Sequence, residues 1–272
     1  MQTNFSNKVV VITGATGGMG RALCWRFGRA GAKLGLLDVQ RETLAIFAKE
    51  LHHAGIQVHG CACEVTDEQA CHAAMQSVFA RFGRIDVLIN NAGITQRSAF
   101  AQTQSEVFRR VMEVNFFGAL YCTQAALPAL VQSKGTIIVM SSIAGFSPLF
   151  GRSGYSASKH ALHGLFESLR TEMREHGVRV MMVCPGFTAT GIERNALGGD
   201  GRPTLRPRST TGRIATPAEV AEAIYRAAQK QKRLLVLSRV GKLAYWVSRF
   251  MPALYERMMS KRLRHELQPL QS

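Results

Sequence analysis

The stretch GYSASKHALHGL, residues 154–165, places a tyrosine and a lysine four positions apart at the start of an amphipathic helical pattern. Residues four apart lie on one face of a helix, with their Cβ atoms roughly 6 Å apart. A lysine ammonium beside a phenol favours the phenolate and lowers the tyrosine pKa from its ordinary value of about 10. Tyr155 and Lys159 therefore have the spacing of a general acid/base pair that works near neutral pH. On the pair alone, a packed tyrosine and a solvated lysine are the simpler interpretation, so other parts of the chain must decide.

A glycine-rich turn follows the first apolar run of the chain and opens a helical pattern. Its sequence is TGATGGMG, in which Gly14, Gly18 and Gly20 have the spacing G-x-x-x-G-x-G. Glycines at such positions let the backbone turn tightly and approach a pyrophosphate at a helix N-terminus. The turn is therefore a candidate dinucleotide site, and a tight turn without a ligand is the alternative.

An acidic residue, Asp38, ends the second apolar run, eighteen residues after Gly20. The dinucleotide pattern places an acidic residue about 20 residues beyond the glycines, where it accepts a hydrogen bond from the adenosine ribose. Because a carboxylate repels a 2′-phosphate, Asp38 favours NAD over NADP. Arg41 lies close by in the sequence and is the residue that would favour NADP.

Length and composition limit the kind of protein. The chain has 272 residues, 46% of them hydrophobic, which is enough for the core of one large α/β domain or two small ones. Its six cysteines show no C-x-x-C spacing, which predicts no metal site and fits reduced thiols in a cytosolic protein. The chain has no run of eighteen apolar residues, so we expect no membrane-spanning helix. The N-terminus also lacks a basic region followed by an apolar signal core.

Seven apolar, β-branched runs alternate with helical patterns along the chain. Continuous apolarity is typical of strands buried on both faces of a parallel sheet, and the alternation predicts a doubly wound, Rossmann-like α/β fold. We expect one dinucleotide-binding catalytic domain over residues 1–238. Capping boxes at Thr66 to Gln69 and Thr216 to Glu219 predict two helix starts. The runs are KVVVIT (8–13), KLGLLD (33–38), IQVHGC (56–61), IDVLIN (85–90), GTIIVM (135–140), VRVMMVC (178–184) and RLLVLS (233–238).

One long irregular segment, residues 186–215, is rich in Gly, Pro and Arg. Loops of this length in compact domains are usually lids, binding loops or disordered segments, and we expect a substrate lid. The chain as a whole carries a net charge of +16. Such a basic excess is typical of proteins that meet nucleic acid, an anionic membrane surface or an acidic substrate or partner.

The tail, residues 239–272, carries a basic amphipathic helical pattern. Pro252 lacks the N–H needed inside a helix, so we expect two helices, the second starting there. The apolar face fits an anionic membrane surface, the protein's own core or a subunit neighbour, and the sequence leaves these alternatives open. The recurring apolar residues are Leu243, Val247, Phe250, Leu254 and Met258.

Together these motifs resemble the short-chain dehydrogenase/reductase family over residues 8 to about 238. The resemblance is specific because six motifs occur in order, each at the expected strand or helix boundary. It is strongest to members that act on lipophilic alcohols or ketones, such as hydroxysteroid, retinol or ketosphingoid dehydrogenases. The motifs are TGATGGMG, NNAG at 90–93, Asn115, SS at 141–142, YSASK at 155–159 and CPGFTAT at 184–190.

The resemblance implies a role for each matched residue. Tyr155 matches the catalytic acid/base, and Lys159 matches the partner that lowers the pKa of that tyrosine and bonds the nicotinamide ribose. Ser142 matches the serine that polarises the substrate carbonyl, and Asn115 matches the helix asparagine that holds a water for proton relay. The positions implied for cofactor binding are Gly14, Thr16, Gly18, Met19, Gly20, Asp38, Glu64, Val65, Asn91, Ala92, Gly93, Tyr155, Lys159, Pro185, Gly186, Thr188 and Thr190.

Four apolar residues near these motifs are candidates for a substrate pocket beside Ser142, with ordinary packing as the alternative for each of them. They are Phe146, Leu149, Phe150 and Phe187.

Two departures from the family pattern bear on the cofactor. Glu64 stands where the family usually has an Asp that contacts adenine. Positions 17 and 39 lack the Arg or Lys that NADP-preferring members often carry, and this absence favours NAD.

We therefore predict an NAD-dependent oxidoreductase that interconverts a secondary alcohol and a ketone, with a small lipophilic substrate. The family implies a homodimer or homotetramer through the helices 104–132 and 155–176. We expect a cytoplasmic protein, held at a membrane surface if the tail binds one. An alternative of another class is a basic redox-sensing or nucleic-acid-binding module, although no nucleic-acid motif is present. The alternative within the enzyme class is a 3-oxoacyl (carrier protein or CoA) reductase, whose acidic partner would meet Arg194, Arg202, Arg206, Arg208 and Arg213.

Overall fold

The computed structural model describes residues 3–192, 195–204 and 213–263. Its centre is a seven-stranded sheet in the order β3-β2-β1-β4-β5-β6-β7, in which every neighbouring pair is parallel. All seven predicted strands are present, so the doubly wound α/β fold is confirmed. The strands are β1 Val9–Thr13, β2 Lys33–Asp38, β3 Val58–Ala62, β4 Val87–Asn90, β5 Thr136–Met140, β6 Arg179–Cys184 and β7 Leu234–Val236.

Burial follows the position of each strand in the sheet. Strands β1 and β4 lie near the middle and every residue in them is buried, as continuously apolar runs predict. The two edge strands are only partly buried, and β7 covers three residues where the sequence predicted six. An edge strand has a neighbour on one side only, so its last residues are free to leave the ladder.

Helices cover both faces of the sheet. One layer contains α1 (Gly18–Gly28), α2 (Arg41–His53) and α7 (Pro217–Gln229), which pack with the sheet in one core cluster. The other layer contains α3 (Glu68–Phe82), α5 (Gly118–Ser133) and α6 (Ser153–Glu172), which form a second cluster. The short helix α4 (Ser105–Met112) leads into α5 through a π-helical turn, Glu113–Phe117.

The sequence predicted two helix starts from capping boxes, and one of the two is present in the structure. Thr216 caps α7 in a reciprocal capping box with Glu219, as predicted. The prediction for Thr66 was wrong, because α3 begins one residue later and Asp67 caps it by accepting a hydrogen bond from the Ala70 amide at 3.0 Å. Aspartate is at least as good an N-cap as threonine, and it stands next to Thr66 in the chain.

The continuous helix formed by α4, the π-helical turn and α5 spans 105–133. By length and composition it is apolar enough to cross a membrane. The sequence prediction missed this candidate because polar residues such as Asn115 and Gln124 interrupt the apolar run. In the fold, Ala119, Cys122 and Ala126 of this helix are buried in the core cluster to which α3 and α6 also contribute, so we interpret it as a core helix.

The tail forms two helices, α8 (Arg239–Phe250) and α9 (Pro252–Leu263), the second starting at the predicted proline. Both turn back onto the domain. The Ser147 hydroxyl donates a hydrogen bond to Ser248 at 3.0 Å, and the Phe150 amide donates to the sulfur of Met259 at 3.0 Å. The tail is thereby fixed to the segment between β5 and α6.

Candidate active site

A cavity of about 800 Å³ lies at the carboxyl ends of the parallel strands, where open α/β sheets bind their ligands. Most residues that the sequence singled out meet there, although they are spread over more than 170 positions of the chain. The predicted residues that line the cavity are Gly14, Thr16, Gly18, Met19, Gly20, Asp38, Asn91, Ala92, Gly93, Ser142, Leu149, Tyr155, Lys159, Pro185, Gly186, Phe187, Thr188 and Thr190.

The glycine-rich turn forms a backbone cradle at the start of α1. Gly14 has a positive φ of 62°, which a side chain would oppose. A Cβ on Gly18 would lie 2.5 Å from the Thr190 carbonyl oxygen, and one on Gly20 would lie 2.1 Å from the Gly14 carbonyl oxygen. Only glycine fits at these two positions, and the bare backbone that results faces the cavity at a helix N-terminus, which suits an anionic group such as a pyrophosphate.

Asp38 lies at the end of β2 on the cavity wall and is 7% exposed. Its Oδ2 accepts hydrogen bonds from the Thr16 amide at 2.9 Å and the Thr16 hydroxyl at 2.7 Å, and its Oδ1 accepts one from the Gln40 amide at 3.1 Å. A carboxylate has about four acceptor sites, so one remains for a ligand. The contact with Thr16 ties this carboxylate to the glycine-rich turn, a link that the sequence pattern did not indicate.

Asn91 ties the loop after β4 to the end of β1. Its Nδ2 donates to the carbonyl oxygens of Thr13 at 2.9 Å and Gly14 at 3.1 Å. The Thr13 hydroxyl in turn accepts from the amides of Asn91 and Ala92, both at 3.0 Å. Thr13 is buried and holds two loops in register, a role that sequence reasoning missed because nothing distinguishes it from an ordinary strand-end threonine.

Tyr155 and Lys159 lie in the first two turns of α6 and both line the cavity. The Lys159 ammonium donates a hydrogen bond to the Met140 carbonyl oxygen at 2.8 Å and lies 5.7 Å from the centroid of the Tyr155 ring. Burial disfavours the charged form and lowers the pKa of Lys159 to about 8, with Cys184 acting weakly in the opposite direction. The ammonium is therefore the main form at neutral pH but titrates close to it.

Ser142 follows β5 and caps a 3-10 turn, Ile143–Gly145. Its oxygen accepts a hydrogen bond from the Ala144 amide at 3.1 Å. Because that bond uses a lone pair, the hydroxyl proton can be donated to a group in the cavity. Ser141, one residue earlier, is buried, whereas Ser142 is half-buried.

Asn115 lies in the π-helical turn, just behind the cavity wall rather than on it. Its Oδ1 accepts from the Ile94 amide at 2.8 Å, and its Nδ2 donates to the Ile94 carbonyl at 3.0 Å and the Ser158 hydroxyl at 2.9 Å. A Cβ on the neighbouring Gly93 would lie 3.0 Å from Asn115 Oδ1 and 3.6 Å from Lys159 Nζ. The amide thus positions the loop after β4 against α6; Ile94 and Ser158 are partners that the sequence did not reveal.

Besides Asn115, four predicted site residues do not line the cavity. Glu64 is exposed and accepts a hydrogen bond from the Thr66 amide, while Val65 is buried against Gly118. The Phe146 ring packs edge-on against Tyr245 of α8 at 5.0 Å, because the 3-10 turn after Ser142 directs it towards the tail. Phe150 does not line the cavity either, and its backbone amide contacts α9.

Residues of α8 and α9 line one end of the cavity, and sequence reasoning did not assign them to the site. The amphipathic pattern showed that an apolar face exists, but a pattern alone does not indicate what that face covers. The tail residues on the cavity wall are Val240, Leu243, Ala244, Val247, Tyr255, Met258, Met259, Arg262 and Leu263. The described residues contain no group of three or more His, Cys, Asp or Glu side chains that could hold a metal ion.

Comparisons with known proteins bear on this fold and site. The family model for short chain dehydrogenases matches residues 8–199. The chain is 38% identical over 275 residues to dehydrogenase/reductase SDR family member 7B of Bos taurus, covering 98% of this chain and 84% of that protein. It is 34% identical over 266 residues to the dehydrogenase/reductase SDR family protein 7-like of Anopheles gambiae, covering 95% and 84%.

Solved structures agree with the sequence relatives. A short-chain dehydrogenase from Streptomyces avermitilis has a TM-score of 0.79 at 28% identity and covers 96% of this chain and 98% of its own. A short chain dehydrogenase/reductase from Burkholderia phymatum, solved in complex with NAD, has a TM-score of 0.78 at 25% identity and covers 99% of both chains. The chain therefore belongs to the short-chain dehydrogenase/reductase family, whose oxidoreductases use NAD or NADP.

Proposed function

We propose that this protein interconverts a secondary alcohol and a ketone with NAD as the preferred cofactor. The observation that carries the proposal is that Ser142, Tyr155 and Lys159 line the same cavity as the glycine-rich turn and Asp38. A basic binding module has no need for this combination of groups in one cavity, so we favour the enzyme.

The three polar side chains divide the chemistry at the substrate oxygen. Ser142 donates its hydroxyl proton to that oxygen and orients it. Tyr155 gives or takes the proton as the oxygen changes between carbonyl and hydroxyl, which is general acid/base catalysis. Lys159, charged at neutral pH, favours the phenolate of Tyr155 through its positive charge. A bound nicotinamide would supply the hydride acceptor or donor for the substrate carbon.

The cofactor preference rests on Asp38. Its carboxylate faces the cavity and retains one acceptor site, which suits a ribose hydroxyl. A 2′-phosphate at the same place would meet a like charge that is shielded from water, which is unfavourable. The glycine cradle is consistent with this placement of the ribose, because it would hold the pyrophosphate at the start of α1.

The lipophilic substrate is supported by the other end of the cavity. Leu149, Phe187 and Val247 line it together with the methionines of α9, so its substrate side is mainly apolar. The 3-oxoacyl alternative gains less support. Of the arginines invoked for it, Arg194, Arg206 and Arg208 lie outside the described residues, and Arg213 pairs with Glu219.

The proposal extends to assembly and to cellular placement. A homodimer or homotetramer through the helices 104–132 and 155–176 is proposed because members of the family commonly form such oligomers. Peripheral association with a membrane rests on the composition of the tail helices.

A paired activity screen tests the proposal. Purified protein is offered secondary alcohols of increasing chain length with NAD and NADP in parallel, and reduced cofactor is followed by absorbance. We expect NADH formation, with kcat/KM rising with apolar chain length. Ser142→Ala should lose most activity, whereas Ser168→Ala, on an exposed part of α6, should not. Equal rates for the two variants, or no turnover of any alcohol or ketone, would contradict the proposal.

A further inference from the structure

The tail helices expose a concentrated apolar surface, which we name the tail face. Among the described residues, large exposed hydrophobic side chains are otherwise scattered, as is normal for a protein surface. On the tail, Trp246 is 59% exposed and Phe250 is 71% exposed, and their rings stack at 5.7 Å. The tail face consists of Val240, Leu243, Trp246, Phe250, Leu254 and Met258.

The tail face continues into the candidate active site. Val240, Leu243 and Met258 are exposed and also line the cavity, so they form its mouth. A ligand that enters past these residues leaves an apolar surface and arrives in an apolar cavity. Contiguous exposed apolar surface of this kind usually marks a site of protein, ligand or membrane contact.

Basic residues accompany the tail face. Residues 239–263 contain six Lys or Arg residues and a single acidic residue, Glu256. Lys242, Arg257 and Lys261 are exposed on the same two helices. Apolar side chains flanked by lysine and arginine are typical of helices that lie in the interface of an anionic bilayer.

We propose that the tail face docks on an anionic phospholipid bilayer and places the cavity mouth against it, so that a lipophilic substrate enters from the membrane. A second copy of this chain is the competing occupant. A two-fold interface brings the same patch of both copies together and would oppose their basic residues, whereas anionic headgroups neutralise them. Substrate entry rests on the proposed function, but docking does not.

Vesicle sedimentation tests docking on the full-length protein. The probes are vesicles of phosphatidylcholine alone and of phosphatidylcholine mixed with phosphatidylserine. Wild type should bind the anionic vesicles, and less so at high salt. Each basic residue near such a surface contributes about five-fold to binding, so Lys242→Glu combined with Arg257→Glu should weaken it by roughly 25-fold or more. Trp246→Gln combined with Phe250→Gln should also weaken it, and neither pair lies on the cavity wall.

A matched control uses exposed residues elsewhere. Ile46 is 69% exposed on α2, and Lys49 is exposed beside it. The double variant Ile46→Gln, Lys49→Glu should bind anionic vesicles like wild type. Docking by the tail face is overturned if the tail and control variants bind alike, or if wild type ignores vesicles while the tail variants change the oligomeric state.

Turnover separates docking from the proposed function. A short water-soluble alcohol and a long-chain alcohol carried in anionic vesicles are compared. The tail variants should keep turnover of the soluble alcohol and lose that of the vesicle-borne one by at least the factor lost in binding. If both alcohols are turned over normally by the tail variants, entry from the membrane is overturned. If no protein turns over either alcohol, the proposed function fails, and the claim of entry from the membrane fails with it; docking is still judged by sedimentation.

Discussion

The Lys159 ammonium donates a hydrogen bond to the Met140 carbonyl oxygen at 2.8 Å, which connects α6 to the end of β5. This bond holds a buried positive charge beside the Tyr155 ring, at a place where water cannot solvate it fully. The site therefore keeps a charge whose burial is unfavourable for folding but suits the proton transfer that we propose for Tyr155.

Replacing the tyrosine tests the acid/base role. Tyr155→Phe keeps the ring but removes the transferable proton, so we expect kcat to fall by about 10²–10⁴-fold with cofactor still bound. Tyr121→Phe, on α5, is a matched control that should keep its activity. Near-full turnover by Tyr155→Phe would show that another group transfers the proton.

The buried lysine predicts a gain in stability on its removal. Its pKa is about 8 in the folded protein against an ordinary 10.5, so below pH 8 its burial lowers the free energy of unfolding. Lys159→Met should therefore raise this free energy by about 1–3 kcal/mol at pH 7 in cofactor-free protein, after loss of the Met140 hydrogen bond. Activity should be lost.

The pH dependence of that gain has a definite sign. Between about pH 8 and 10.5 the unfolded lysine keeps a proton that the folded one has released, so wild-type stability rises with pH relative to the variant. Denaturant melts at a series of pH values should show the difference shrinking over this range. Lys49→Met, at an exposed site, should show no such trend, and a constant gain for Lys159→Met would contradict the account.

Cofactor choice should depend on Asp38. Asp38→Asn keeps the shape of the side chain and removes the charge that opposes a 2′-phosphate. We expect wild type to have a higher kcat/KM with NAD than with NADP. In Asp38→Asn the ratio of these two kcat/KM values should fall by roughly 10–100-fold. If wild type prefers NADP instead, the prediction is wrong and Arg41 is the first residue to replace.

The glycine cradle offers a matched pair of alanine substitutions. A Cβ on Gly20 would lie 2.1 Å from the Gly14 carbonyl oxygen, whereas one on Gly17 would lie 3.5 Å from the same atom. Without cofactor, Gly20→Ala should lower the free energy of unfolding by about 1–3 kcal/mol because backbone must move. Gly17→Ala should be close to neutral. Equal thermal melts for the two variants would rule out this packing explanation.

The sequence predicted the sheet well because strands such as β1 and β4 are buried on both faces and leave a continuous apolar run. Most of the predicted site residues line the cavity, since residues such as Gly14, Asp38 and Tyr155 occupy strand and helix ends that a parallel sheet brings to one edge. Local patterns are sufficient where the fold follows from periodicity.

Other features depend on contacts between distant residues, which no local pattern encodes. The π-helical turn at Asn115 is stabilised by bonds to Ile94 and Ser158 that exist only in the folded protein. The direction of the Phe146 ring depends on Tyr245, ninety-nine positions later. The tail helices were predicted from their local pattern. Their position over the cavity was not, because it depends on contacts with distant residues.

The two opposite walls of the cavity come from different parts of the sequence. The wall that suits a dinucleotide is built from segments up to Ile192, whereas much of the opposite wall comes from α8 and α9. Proteolytic trimming or alternative splicing after Ser238 would therefore remove only the wall that α8 and α9 supply. The shortened chain would retain the nucleotide-facing wall together with Ser142, Tyr155 and Lys159, but it would lose the part of the opposite wall that α8 and α9 supply.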